Sequence, residues 1–504
     1  MAAKGTAEIR LVDLGWIPRL EDPELKIGRD SDERARPCLI DIRHGESLFA
    51  ARARGMRDDG GYMPPPRLRF APSPTGPLHL GSAVVAVANA LAARALGGEL
   101  LLRIDDTDAQ RTTEGAEQGI VADLEWLGIE LIGAPVRQSE RRDLHITAAE
   151  HLLATAHAYR CFCPPSQDRY DGRCRAIPRA DGERRHEAGD ANVIRFRVPS
   201  AEVVVDDATR GPVRFAGDEI SDFVLVRADG RPTFDLATAV DDRDLAITHI
   251  VRGEDHLANS ARHLLLLRAL GAVEPVFAHC PIVVGADGER LSTRRGAEPL
   301  AALRQRGVPP EAVVAFAAQL ACPAQGGAEE VAPFAELAQR FSLARLGRGT
   351  AHADPAHLAW MGRSVLERLP LEDLARRLQP FLPAGTPDVV LTALGEAARG
   401  APALGEIADS AIALAQRPAA PPPDAPALAL FCELRESDER DHLPHASAVA
   451  LVDRLRELGQ ARGLSPRDVL HPLRIALTGA SRGLPLPVVV AVLPREESLR
   501  RCRT

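Results

Sequence analysis

Two short segments carry residues whose types and spacing suit phosphate chemistry. The first, Arg69-Phe-Ala-Pro-Ser-Pro-Thr-Gly-Pro-Leu-His-Leu-Gly81, ends in a His-x-Gly turn that runs into an apolar stretch, Ala83 to Leu96. Pro72, Pro74 and Pro77 each fix φ and push the preceding residue toward extended geometry, so no helix can begin before about Leu78. Gly81 then lets backbone N–H groups of the new helix approach a ligand closely, where unpaired donors and the helix dipole favour phosphate; His79 adds a side-chain donor. The second segment, Gly288-Glu-Arg-Leu-Ser-Thr-Arg-Arg-Gly296, is a basic loop containing Arg290, Ser292, Thr293, Arg294 and Arg295. It follows the apolar run Pro281-Ile-Val-Val284 and an Asp287-Gly288 turn, so it suits a loop that closes over a triphosphate as well as a solvated basic face. Pro/Gly turns before helices are common, and the pair of segments carries the inference where neither would alone.

Two further clusters have chemical potential. Asp105-Asp106-Thr107-Asp108 follows the apolar run Glu99-Leu-Leu-Leu-Arg-Ile104, and acids at the carboxyl end of a parallel strand face a ligand crevice unless they merely cap the next helix. Cys161-x-Cys163, Tyr170 and Cys174 place three soft ligands close in sequence, although a tetrahedral zinc site needs one more; buried thiols without metal are the alternative.

The elements that must position these residues read as an α/β domain. A strand at Leu68–Ala71, the Ala83–Leu96 helix, the Glu99–Ile104 strand and a helix presenting Ile120, Leu124 and Leu127 begin a parallel sheet. Residues 161–236 read as an insertion rich in short strands, including a hairpin of Phe223–Arg227 and Pro232–Leu236 closed by Asp229-Gly230. The sheet resumes with Leu245–Val251, Arg252-Gly-Glu-Asp255 and a helix Asn259–Leu270. After Gly296 the pattern is helical to the end, interrupted by a Pro-rich linker at 417–426, and no internal repeat is evident. Residues 1–66, poor in apolar side chains and closed by Pro64-Pro65-Pro66, read as an appended segment, either partly disordered or a small fold.

Bulk properties narrow the field. With 504 residues the chain has room for roughly three or four domains. A net charge of −8 argues against indiscriminate coating of nucleic acid, though not against a local basic patch. All but two of the 62 basic residues are arginine; Lys4 and Lys26 are the exceptions. Scattered cysteines suit a reducing compartment, and the acidic start lacks a signal core, so a cytoplasmic protein without membrane spans is expected.

The two phosphate segments resemble the ATP-binding signatures of class I aminoacyl-tRNA synthetases, with wording closest to the glutamyl-tRNA synthetase branch. Arg103-Ile-Asp-Asp-Thr-Asp108, Pro232-Thr-Phe-Asp-Leu236, Val240-Asp-Asp242, Arg252-Gly-Glu-Asp-His256 and His471-Pro-Leu-Arg-Ile-Ala-Leu-Thr-Gly479 extend the similarity in the same order across about 67–504. The resemblance implies a Rossmann-type parallel-sheet catalytic domain at 67–305 with an acceptor-stem insertion. A helical stem-contact domain at 306–380 and an all-α anticodon-binding domain at 381–504 would follow. It implies a monomeric enzyme that uses ATP with Mg²⁺ to join L-glutamate to tRNA, with tRNA-Glu the expected substrate of that branch. Arg69 would bind the γ-carboxylate and Arg252 the α-carboxylate, with Ala71, Ser73, Asp105 and Phe234 completing the amino-acid pocket. His79, Gly81 and Asp255 would serve ATP, with Arg290, Ser292, Thr293 and Arg294 stabilising the leaving pyrophosphate.

The chain departs from the family pattern at several points. Thr293 stands where the family has a catalytic lysine, Phe234 where it has tyrosine, and Asp105 where it has glutamate. The usual zinc histidine is Ala176 here; Tyr170, matching a ligand in a shortened tRNA-modifying relative, becomes the candidate fourth ligand, with His186 in reserve. Two rival readings follow: a paralogue that binds tRNA or an aminoacyl ligand without efficient adenylation, and the relative that glutamylates a tRNA base. The helical region beyond 380 counts against the latter, which lacks an anticodon domain.

Overall fold

The computed structural model describes residues 65–503 apart from 109–110, 165–169, 292–296, 324–330 and 418–424. Most of the appended segment and of the Pro-rich linker therefore lies outside the described residues, as do Ser292, Thr293 and Arg294.

Strands β1 (Arg67–Phe70), β2 (Glu99–Ile104) and β3 (Val136–Arg137) run parallel from the first motif toward one edge of the main sheet. β4 (Ala158–Cys161), β5 (Val193–Phe196) and β8 (Val224–Val226) form a separate antiparallel sheet in the order β4-β5-β8. β6 (Val203–Asp207), β7 (Gly211–Phe215), β9 (His249–Gly253) and β10 (Val276–Cys280) complete the seven-stranded sheet, ordered β3-β2-β1-β9-β10-β6-β7. Only β7 runs antiparallel to its neighbour. β2 is buried along nearly its whole length, as expected of a parallel strand covered on both faces.

Between β1 and β9 the strand order reverses direction, and the carboxyl ends of these two strands, Phe70 and Gly253, flank a topological switch point. Open parallel sheets bind ligands there. The prolines delay the helix as expected: Leu80–Ala95 starts after His79, whose Nδ1 accepts a hydrogen bond from the Gly81 N–H at 3.0 Å. Alanine-rich and buried around most of its girth, this helix packs between the sheet and the Pro310–Ala321 helix.

Several expected boundaries shift. The segment 161–236 does not form one inserted sheet, because β6 pairs with β10 through Asp207 and Phe277 and joins the main sheet. The second arm of the predicted hairpin is reduced to one bridge between Val226 and Pro232; Phe234 already begins a helix, Phe234–Asp244, which pairing could not accommodate. That helix runs to Asp244, so the strand expected from Leu245 starts only at His249. β11 (Ile282–Val284) pairs in parallel with β12 (Thr350–His352), so the region after Gly296 is not wholly helical. From Leu366 to Cys502 a second core is built from helices alone. Its Pro466–Thr478 helix carries a reciprocal capping box between Ser465 and Asp468 and ends at Gly479, whose φ of 60° suits a residue without Cβ.

Candidate active site

At the switch point lies a cavity of about 580 Å³, within the size range of small-molecule sites. Arg69, Ala71, Ser73, His79, Gly81, Asp105, Phe234, Arg252, Asp255 and Arg290 all line it, so the two sequence segments converge on one space. They reach it from several elements: Arg69 from β1, Asp105 from just beyond β2, Phe234 from a helix start, Arg252 from β9 and Arg290 from the turn after β11.

The floor is a buried ionic cluster. Arg69 donates twice to Asp242, Nε to Oδ1 at 2.9 Å and Nη2 to Oδ2 at 3.3 Å. Arg103 donates to the same carboxylate at 2.5 Å and forks onto Asp105 at 2.7 and 3.2 Å. Burial alone would raise the Asp242 carboxyl, but Arg69 and Arg103 hold it down to about 2. For Asp105 burial prevails over Arg103, and its carboxyl is raised. The four groups balance, so they form a neutral, rigid platform.

Arg252 is different. The residue is 7 % exposed, and its guanidinium has no carboxylate within ion-pair distance among the described residues. It donates instead to neutral acceptors: Nη2 to Ser260 Oγ at 2.7 Å, Nη1 to His263 Nδ1 at 2.9 Å and Nε to His279 Nε2 at 3.4 Å. Burial, with Arg69 nearby, pushes its pKa down to about 9. Asp242, Asp235 and Asp255 act on it only from beyond ion-pair distance, and a buried cation without a carboxylate in contact is costly until an anion arrives; this one faces the cavity.

The start of the Leu80–Ala95 helix also lines the cavity through Gly81 and Ser82, with His79 at its cap. Burial and then Arg290 lower the His79 pKa, which keeps the imidazole neutral and able to cap. A Cβ at Gly81 would lie 2.8 Å from the His79 ring, so only glycine leaves the turn this tight. Arg290 pairs with Asp255 at 2.7 Å.

Sequence reading overlooked several residues. Arg103 and Asp242 lie inside quoted motifs, yet only their long-range pairing reveals their place in the floor. Thr238, one turn after Phe234, lines the cavity with its Oγ1 buried and without a hydrogen-bond partner among the described residues. Of the acidic run, Asp105 and Asp108 line the cavity, whereas Asp106 accepts from Ser139 N and Oγ at 2.8 and 2.6 Å.

Away from the cavity, the sulfurs of Cys161, Cys163 and Cys174 lie within 4.8 Å of one another. The Tyr170 hydroxyl oxygen accepts from the Cys174 N–H at 2.9 Å, which places an oxygen beside the thiols. Burial and then the neighbouring Cys174 and Cys161 thiols push Cys163 up to about 12. His186 does not join this group; its Nδ1 faces Asn192 at 3.1 Å. Soft donors this close suit zinc.

A parallel sheet with an anion-ready switch point and a His-capped helix start defines a nucleotide-using enzyme of the class I aminoacyl-tRNA synthetase type. Residues 66–360 match the family of class I tRNA synthetases (E and Q), catalytic domain, and residues 373–504 match the anticodon binding domain. The chain belongs to this class I tRNA synthetase family. It is 39 % identical over 451 residues to glutamate–tRNA ligase 1 of Rubrobacter xylanophilus, covering 87 % of this chain and 97 % of that one. The glutamate–tRNA ligase of Heliobacterium modesticaldum is 36 % identical over 484 residues, covering 87 % and 96 %. Among solved structures, a glutamate tRNA ligase from Elizabethkingia meningosepticum in complex with its amino acid superposes with a TM-score of 0.73 at 27 % identity, covering 87 % and 98 %. No helix among the described residues is long and apolar enough to cross a membrane.

Proposed function

We propose that the chain activates glutamate with ATP and transfers it to the 3′ end of tRNA. The observation that carries this reading is Arg252, a buried guanidinium whose hydrogen-bond acceptors among the described residues are neutral, facing the same cavity as a helix start suited to phosphate. A glutamate α-carboxylate would supply its missing anion. Arg69 keeps Nη1 free of protein acceptors among the described residues, and this atom would meet the side-chain carboxylate. Thr238 Oγ1 would offer the hydroxyl that Phe234 lacks.

The class uses ATP with Mg²⁺. A carboxylate oxygen of glutamate attacks the α-phosphorus and pyrophosphate leaves; the ribose hydroxyl of the terminal adenosine then displaces AMP from the glutamyl-adenylate. No side-chain nucleophile is needed, and the protein contributes positioning and charge. His79, the helix start at Gly81 and Arg290 would hold the triphosphate, with Ser292, Thr293 and Arg294 following in the same loop. Residues 161–236, 306–380 and 381–504 would contact the acceptor stem, the stem body and the anticodon of tRNA-Glu. Cys161, Cys163 and Cys174, with Tyr170, would hold one Zn²⁺ near the acceptor end. The helical anticodon match at 373–504 supports a full-length ligase over the base-modifying relative.

The test is glutamate-dependent ATP–pyrophosphate exchange in the presence of tRNA. Exchange with glutamate and none with glutamine or aspartate is expected; no exchange with any of them would leave a tRNA-binding paralogue as the better account.

A further inference from the structure

Behind Arg252 a chain of buried polar groups leads away from the cavity to a carboxylate that never touches substrate space. Ser260 Oγ, which accepts from Arg252, lies 3.1 Å from His279 Nε2, and His279 Nδ1 lies 2.5 Å from Asp207 Oδ2. Asp207, Ser260 and His279 are each 1 % exposed or less. Asp207 ends β6, and His279 sits on β10 beside it. The other oxygen of Asp207 accepts from the N–H groups of Thr209 and Arg210, both at 2.9 Å, so the carboxylate cannot rotate.

This arrangement dictates a tautomer. Arginine only donates, so the His279 nitrogen facing Arg252 and Ser260 must carry a lone pair, and its proton must sit on Nδ1. The Asp207 carboxylate accepts that proton's hydrogen bond and stabilises this form. A carboxylate placed directly against Arg252 would neutralise it and compete with substrate. An imidazole between them supplies an acceptor without supplying a charge. We propose that Asp207 is a positioning residue for the amino-acid site: acting through His279 and Ser260, it keeps Arg252 aimed and its charge open for the substrate carboxylate. This inference rests on Arg252 holding that carboxylate.

Asp207→Asn tests it with little change in shape. The asparagine oxygen stays with the Thr209 and Arg210 N–H groups, which turns the amide NH₂ toward His279 Nδ1 and drives the imidazole proton to Nε2, against Ser260 and Arg252. The ¹⁵N spectrum of the His279 ring, assigned from its loss in His279→Gln, is expected to show the Nδ1–H form in the parent and the Nε2–H form in the variant. Glutamate KM in the exchange reaction is expected to rise on the order of 10–100-fold, the scale of loss when a carboxylate that orients a metal-ligating histidine is removed, with ATP KM unchanged. In a His279→Gln background, where no imidazole can flip, Asp207→Asn is expected to raise glutamate KM no further. A parent spectrum showing Nε2–H overturns the proposal even if the variant does not fold. So does a flipped tautomer with unchanged glutamate KM, while a loss of glutamate binding in Arg252→Ala would leave the site assignment standing. Unchanged glutamate KM in Arg252→Ala would remove the site assignment and this inference together.

Discussion

Asp255 and Arg290 form a 2.7 Å ion pair at the exposed edge of the cavity, joining the turn after β9 to the turn after β11. Burial would raise the Asp255 carboxyl, but the Arg290 hydrogen bond and the neighbouring His256 hold it low. The pair fixes Arg290 at the start of the basic loop. Because Arg290 is exposed, the pair should contribute no more than about 1 kcal/mol to folding. Asp255→Asn is therefore expected to leave the melting temperature nearly unchanged while raising KM for ATP more than KM for glutamate. Steady-state exchange kinetics check this, and an equal rise for both substrates would contradict it.

Arg252 yields a prediction about ligand-linked stability. Saturating glutamate should raise the melting temperature of the parent, since a ligand that binds only the native state stabilises it. In Arg252→Ala the glutamate-induced rise should vanish, because a lost carboxylate partner of a buried charge costs ~2–5 kcal/mol of binding. The variant itself should fold, as no carboxylate is left behind without its cation. Thermal scans with glutamate and, separately, with ATP distinguish a local loss from a collapsed site.

Much of this site was legible in the sequence because its signals are local. The proline series, His79 and Gly81 specify a turn and a helix start within a few residues, and both form as expected. Asp242 carried no such signal. Its carboxylate matters only because the Phe234–Asp244 helix brings it between Arg69 and Arg103, partners on two strands far away in the chain. The same holds for Asp207, whose strand was read as part of an insertion and instead extends the main sheet. Phe234 misled in the other direction: a Pro-Thr-Phe run after an Asp-Gly turn looks like a hairpin arm, and the helix that replaces it is decided by burial of Leu236, Val240 and Asp242.

The Asp242 cluster predicts an acid limb of stability. Its folded pKa of about 2 lies below the ordinary value of 3.8, so the folded state binds the proton more weakly than the unfolded chain does. Its contribution is fully present above the ordinary value and is lost as pH falls from there through about 2; a shift of this size is worth about 2 kcal/mol. Asp105, whose carboxyl is raised, titrates in the opposite sense, so the two must be separated by mutation. Asp242→Asn should flatten the acid limb and cost ~3–5 kcal/mol near neutral pH, because Arg69 loses its carboxylate and Arg103 keeps only Asp105. Urea unfolding across the acid range measures both effects, and an unaltered limb would assign the acid sensitivity elsewhere.

The thiol cluster predicts a metal whose loss separates the two half-reactions. Cys161 ends β4, and none of Cys161, Cys163, Cys174 or Tyr170 lines the cavity. Protein purified without chelator should carry about one equivalent of zinc, with binding weakened in acid because the ligands must be thiolates. Cys163→Ala should lose the metal and lower the melting temperature of the β4-β5-β8 sheet, whereas Tyr170→Phe, retaining three sulfurs, should bind zinc more weakly but still bind it. Because none of these residues lines the cavity, ATP–pyrophosphate exchange should survive zinc removal better than transfer to tRNA does. Elemental analysis with parallel exchange and charging assays decides the matter: equal loss of both reactions would tie the cluster to the catalytic floor, and full retention of both without metal would reduce it to buried thiols.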